Sequence, residues 1–218
     1  MFSGKLAVRW VVFLIGVAVM SLGISIVTQA GLGTTPISSL PLVASYATGY
    51  TFGETTFAIN VVMVLLQILL LGKSAKWTVL LQIPLTYVFA MAIDVSMTNT
   101  AFLASDVYWQ KLLVNIVGTV ILGLGIACEV WAKIMMLPGE GLVLAAAIRS
   151  RKPFPKVKIY NDITRVVMAV VLSLAVFSSI EGLREGSAIS AVLTGFAVKG
   201  WMYLLKRAEH AVYGPEEA

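Results

Sequence analysis

Six long apolar stretches constrain the fold of this chain more than any other feature of its sequence. They cover residues 6–29, 54–71, 77–97, 111–132, 160–180 and 187–205. A helix needs about 20 mostly apolar residues to cross the hydrocarbon layer of a bilayer. Hydrophobic residues make up 59% of the chain and charged residues only 12%, which is about half of the charged fraction of a soluble domain. The sequence therefore predicts an all-α polytopic membrane protein with six transmembrane helices.

The lysine and arginine residues predict how these helices are oriented. With the N-terminus inside, only Lys111 and Arg184 lie outside, and Arg165 and Lys199 fall within spans. The other twelve of the 16 basic residues lie on the inner side: Lys5, Arg9, Lys73, Lys76, Lys133, Arg149, Arg151, Lys152, Lys156, Lys158, Lys206 and Arg207. Such an excess marks the cytoplasmic side. We expect one transmembrane domain, residues 1–207, and a polar cytoplasmic tail, residues 208–218.

Two further apolar segments, residues 36–48 and 139–148, are too short to cross a membrane at about 1.5 Å per residue. Pro36 opens the first segment, and Pro138 immediately precedes the second. Proline is common in the first turn of a helix. We predict two short Pro-led helices that are either re-entrant or interfacial.

The chain also resembles itself when it is shifted by 102 positions. Residues 16–40 then align with residues 118–142, and the matches include Gly16 with Gly118, Gly23 with Gly125, and Pro36 with Pro138. Two repeats follow, at about residues 6–97 and 111–205, each with three crossing helices and one short Pro-led helix. Because three crossings is an odd number, the second repeat must be inverted relative to the first.

Inverted repeats recur in secondary transporters, where the substrate site lies at the repeat interface. The alternative is an old duplication retained for packing alone. We interpret the four matched glycines as positions of close helix packing rather than ligand contacts, since small residues let membrane helices approach one another.

The loop before the first short helix is the best candidate for a substrate-binding segment. Thr35 before Pro36 matches a helix N-cap followed by proline, and helix N-termini attract carboxylate or phosphate groups. We assign substrate binding to Thr34, Thr35 and Ser38, with Glu140 at the matching position of the second repeat. Helix capping alone would also explain these residues.

Ionisable groups inside membrane helices are costly and are usually functional or paired. Glu129, Glu140 and Asp94 are the candidates for proton coupling. Asp162 and Asn60 are added to the substrate-binding set because the 102-residue shift aligns them. The alternatives are an interfacial position for Asp94, and local pairs of Glu129 with Lys133 and of Asp162 with Arg165.

Enzyme chemistry has little support in the sequence, so no catalytic residue, metal site or cofactor is expected. The sole histidine, His210, lies in the tail, and Cys128 lies within an apolar helix, where packing is its expected role. No metal-ligand spacing or phosphate-binding loop is found. The expected partners are a small-molecule substrate, membrane lipid and a second copy in a homodimer, but no nucleic acid.

Three segments resemble the YczE/YyaS/YitT group of bacterial membrane proteins. They are VVFLIGVAVMSLGISIVTQA with the loop GLGTTPISSLP, then GETTFAINVVMVLLQILL, and PGEGL with the helix that contains Asp162. The likeness covers about residues 6–206. It implies a bacterial inner-membrane protein of five or six helices and leaves the substrate open.

We therefore expect a secondary transporter of a small polar or anionic solute, coupled to protons. Two alternatives stay open. One is a substrate-binding membrane subunit of a larger importer, against which the internal repeat counts. The other is a membrane helper or regulator that transports nothing.

Overall fold

The computed structural model describes residues 2–213 and contains eight α-helices in this range. They are α1 (Phe2–Gln29), α2 (Pro36–Thr48), α3 (Phe52–Leu71), α4 (Gln82–Asn99), α5 (Tyr108–Ala132), α6 (Pro138–Ser150), α7 (Phe154–Phe177) and α8 (Glu185–Tyr213). Six of them, all except α2 and α6, are long and apolar enough to cross a membrane. The predicted all-α polytopic membrane fold is confirmed. The two short Pro-led helices also form where they were expected.

The two helix starts that differ most from the sequence prediction are those of α4 and α7, and proline accounts for both. A 3₁₀ helix, Trp77–Leu81, precedes α4, although one helix was predicted from residue 77. Pro84 has no N–H for the carbonyl of Leu80, so the α-helical hydrogen bonds cannot continue backwards across this position. Helix α7 begins at Phe154 rather than at residue 160, because Pro155 fits the first turn of a helix.

The polar tail is also more ordered than its composition suggested. Helix α8 continues to Tyr213, and residues 214–218 lie outside the described part. The indole N–H of Trp131, near the end of α5, donates a hydrogen bond to Glu209 Oε2 over 2.8 Å. This contact ties the start of the predicted tail to the end of α5.

The four matched glycines lie where α1 crosses α5. A Cβ atom on Gly23 would stand 2.5 Å from the backbone nitrogen of Leu122, and one on Gly125 would stand 2.5 Å from that of Met20. Gly16 likewise faces Cys128, and Gly118 faces Val27. Contacts further along α1 involve residues earlier in α5, so the two helices are antiparallel. The predicted packing role of these glycines is confirmed.

The short helix of each half packs against a long helix of the other half. Helix α2 packs against α7 and α3, and α6 packs against α3 and α7. An inverted repeat would produce this reciprocal arrangement, although the repeat itself stays a prediction. One pair breaks the correspondence: α3 packs along α4, whereas α7 and α8 hardly touch one another. A cleft therefore separates α7 from α8.

Candidate functional site

The N-termini of the two short helices meet at Arg165, near the middle of α7. Its Nη1 donates to the carbonyl oxygen of Ile37 in α2 over 3.4 Å, and Nη2 donates to that of Gly139 in α6 over 3.3 Å. Arg165 is 4% exposed. Both helices thus begin beside the middle of a long membrane helix. Of the two arrangements left open by the sequence, this geometry favours re-entrant helices.

A cavity of about 1090 Å³ lies beside this meeting point and extends into the cleft between α7 and α8. Every one of the eight helices contributes to its walls. Polar side chains gather around the ends of the short helices: Thr35, Ser38, Thr56, Asn60, Glu129, Glu140, Lys158 and Asp162. The part between α7 and α8 is mostly apolar, with Ile163, Val166, Val167, Val170, Ala188, Ala191 and Val198. The cavity therefore has a polar end and an apolar side.

Glu140 and Glu129 lie at the polar end but have different partners. Lys158 Nζ stands 3.5 Å from Glu140 Oε1, and the Glu140 side chain is 17% exposed. Glu129 is only 2% exposed. Its Oε1 accepts a hydrogen bond from the backbone N–H of Leu137 over 2.8 Å. Glu129 thus holds the residue that precedes α6, and the alternative, a local pair with Lys133, is not observed in the described part of the chain.

Asp162 is the least satisfied charged group in the cavity. Its Oδ1 atom is buried and, within the described residues, has no hydrogen-bond partner. The alternative, an ion pair with Arg165, is not observed in this described range, and that guanidinium instead donates to Ile37, Gly139 and Met63. Asn60, the counterpart of Asp162 under the 102-residue shift, lines the same cavity.

The threonine and serine candidates divide between the cavity and the protein interior. Thr35 and Ser38 line the cavity, and the Thr35 hydroxyl donates to the Ser38 hydroxyl over 3.1 Å. Thr35 occupies the N-cap position of α2, but its side chain forms no capping hydrogen bond. Thr34 is fully buried, with its hydroxyl 3.0 Å from that of Thr28. The structure therefore places Thr34 away from the cavity.

Asp94 in α4 lies apart from the other candidates, and its side chain contacts the start of α3. Its carboxylate accepts hydrogen bonds from the Thr51 hydroxyl over 2.6 Å and from the Gly53 N–H over 2.7 Å. A carboxylate at a helix N-terminus is stabilising because it meets free N–H groups and the positive end of the dipole. This geometry supports a capping role for Asp94.

Two residues of the site were not recognised from the sequence. Lys158 was assigned to an inner loop, but α7 starts early enough to bring it into the cavity wall, one turn before Asp162. Arg165 was considered only as a local partner of Asp162, whereas it joins the two short helices.

The comparisons with known proteins identify the family of the chain and one relative. No solved structure matches the chain. Uncharacterized protein YyaS of Bacillus subtilis (strain 168) is 27% identical over 205 residues, which cover 91% of this chain and 94% of the relative. A family model described as "Family of unknown function (DUF6198)" matches residues 7–203. Because this match extends over most of the chain, the chain belongs to the DUF6198 family.

Proposed function

We propose that this chain is a secondary transporter that moves a small solute with a polar group across the bacterial inner membrane, with both of its termini in the cytoplasm. The observation that carries this proposal is the cavity at the meeting point of the two short helices. Broken helices that end near the midplane, at the interface of two repeats, form the substrate sites of many secondary transporters.

The unequal packing of the long helices supports a transport cycle. In the structure α3 packs along α4, while their counterparts α7 and α8 stand apart. Alternating access requires two repeats of one fold to adopt different arrangements. If the two repeats exchanged their arrangements, the opening of the cavity would move to the other side of the membrane. We infer that the reverse state closes α7 onto α8 and separates α3 from α4.

Proton coupling is the second part of this proposal. Glu129 and Glu140 both line the cavity, and Glu129 also holds the backbone at the start of α6. A proton taken up by Glu129 would weaken that hydrogen bond, because a charged acceptor forms the stronger bond. Protonation would then loosen one of the two short helices.

Reconstituted protein provides the test. Uptake into proteoliposomes should be measured over a panel of metabolites and amphiphiles, with and without a pH gradient. Cysteines placed at Val170 and Ala188, which line the cleft from α7 and α8, should then be joined by a short bifunctional reagent in a background that lacks Cys128. Joining them should stop uptake, whereas modifying either cysteine alone should not.

Two results would contradict the proposal. One is the absence of uptake across the whole panel by protein that is demonstrably folded. The other is full uptake with α7 and α8 covalently joined. Co-purification of ATPase subunits from the native host would instead favour an importer subunit.

A further inference from the structure

We infer that the solute is an amphiphile with a cationic amine head and an apolar body. This inference rests on the proposed transport function and assigns the substrate class of the same cavity. Three observations carry it: the shape of the cavity, the distribution of its apolar walls and the excess of carboxylates at its polar end.

The size and position of the cavity favour a molecule that enters from the bilayer. A volume of about 1090 Å³ lies at the upper limit of small-molecule sites, which are about 300–1,000 Å³. Helices α7 and α8, which border the cleft, are the least buried of the six long helices. A metabolite without an apolar part would leave the cleft unfilled, whereas an alkyl chain would fill it.

The apolar and polar groups are arranged along one direction, as in an amphiphile. Ile163, Val167 and Val170 line the cleft along α7, towards its outer end. Asp162 lies inward of them, directly before Ile163, and Asn60 and Glu140 lie beside the short helices. A ligand with its head at Asp162 would therefore place its apolar body along the α7 wall.

The charges at the polar end favour a cation over an anion. Glu129, Glu140 and Asp162 all line it, and Lys158 is the one basic side chain of the lining at that end, since Arg184 lies at the opposite end. Lys158 is next to Glu140, and the buried Arg165, although its N–H groups bind backbone carbonyls, also lies within electrostatic reach of Asp162 and Glu140. Three carboxylates thus face two cations, and an anion would add to this formal negative excess, which is unfavourable in a site of low dielectric constant.

An ammonium group would supply what Asp162 lacks. Asp162 lines the cavity, and its Oδ1 atom is buried without a partner among the described residues, so a ligand in the cavity would pair with the carboxylate through its other oxygen. A primary amine carries three N–H donors and a positive charge, so it can pair with Asp162 and still donate to the amide oxygen of Asn60. The Asp162 carboxylate thus indicates the position of the head group.

Equilibrium binding to the full chain in phosphatidylcholine nanodiscs tests this assignment without requiring transport. The probes are radiolabelled octylamine, octanoate, octanol and butylamine, with empty nanodiscs subtracted for partitioning into lipid. Octylamine should bind about tenfold more tightly than each of the other three, because it alone has both the charged head and the long apolar body. Equal binding of octylamine and octanoate would overturn the inference.

Matched variants separate the two ends of the ligand. Asp162→Asn should weaken octylamine about tenfold and leave octanol unchanged, and Asp106→Asn in the outer loop is its control. Val167→Trp should weaken octylamine but not butylamine, because it fills the cleft. Met168→Trp is the control, because Met168 is exposed and points about 100° further round α7 than Val167, so it should change neither. Unchanged octylamine affinity in both Asp162→Asn and Val167→Trp would refute the assignment.

Two further results distinguish this inference from the proposed function and identify the source of the amine. Octylamine binding without uptake would refute transport but agree with the assigned ligand class. Uptake of other solutes without octylamine binding would support transport and refute the assigned ligand class. Nanodiscs that contain phosphatidylethanolamine should weaken octylamine binding if lipid amines use the same site. Unchanged binding there assigns the site to free long-chain amines.

Discussion

The carboxylate of Glu129 in α5 accepts a hydrogen bond from the backbone N–H of Leu137, the residue that immediately precedes α6. Both side chains are buried. The contact joins the end of one long helix to the start of a short one, at the wall of the cavity. It gives Glu129 a structural role, which substitution can separate from the proposed proton-linked role.

Replacing Glu129 with glutamine should preserve the fold and remove the response to a pH gradient. The amide oxygen of glutamine can still accept from Leu137, but it cannot exchange a proton. Glu129→Leu should also lose stability, by about 1–3 kcal/mol, because the Leu137 N–H would be buried without a partner. Thermal unfolding and gradient-driven uptake measure the two effects. Normal coupling in Glu129→Gln would exclude this residue as the proton carrier.

Glu140→Gln should impair uptake more than Asp106→Asn does. Glu140 lines the cavity with Lys158 at 3.5 Å, whereas Asp106 is an exposed loop residue. The charge of Glu140 is partly screened, so its loss should lower the free energy of unfolding by no more than about 1 kcal/mol. Initial uptake rates, normalised to folded protein, provide the measurement. If Glu140→Gln transports like the parent, Glu140 is not part of the site.

Alanine at Gly23 or Gly125 should destabilise the protein, because each new Cβ would meet the backbone of the opposite helix at 2.5 Å. Overpacking of this kind costs about 1–3 kcal/mol. Gly200→Ala in α8 is the control, since a Cβ there meets open space. Melting temperatures in one detergent give the comparison. A Gly125→Ala variant as stable as Gly200→Ala would contradict the close approach of α1 and α5.

Single cysteines should report the orientation of the six long helices. In a variant that lacks Cys128, cysteines at Thr48 and Asp106 should react with an impermeant thiol reagent from outside. A cysteine at Pro153 should react only after permeabilisation. All three positions are exposed, so burial cannot account for a silent site. External labelling at Pro153 would contradict an orientation with both termini inside.

The fold was largely predictable because the membrane imposes simple length and composition rules. The six long helices and the start of α2 at Pro36 follow from apolar length and from proline at a helix start. The packing of Gly23 and Gly125 was also predictable, since matched glycines in two apolar helices indicate close approach. These features depend on local sequence or on one internal comparison.

The site was less predictable because its contacts join distant segments. Nothing near Arg165 in the sequence shows that its guanidinium reaches Ile37 and Gly139. Lys158 was predicted to lie in a loop, but α7 already begins at Phe154, with Pro155 in its first turn. The apolar cleft was not predictable either, because it depends on how far apart α7 and α8 stand.

The 3.1 Å contact between Arg165 Nη2 and Met63 Sδ has a consequence for how such a chain can diverge after duplication. These residues are 102 positions apart, the offset that aligns the two halves, so on the repeat interpretation each is the counterpart of the other. In an assembly of two identical subunits, an arginine at this position would face another arginine, and the like charges would repel in a buried setting. A single covalent chain avoids this repulsion, because one half can carry the arginine while the other supplies a neutral, polarisable methionine. Fusion of the halves thus permits one arginine at a position where two identical subunits would place two.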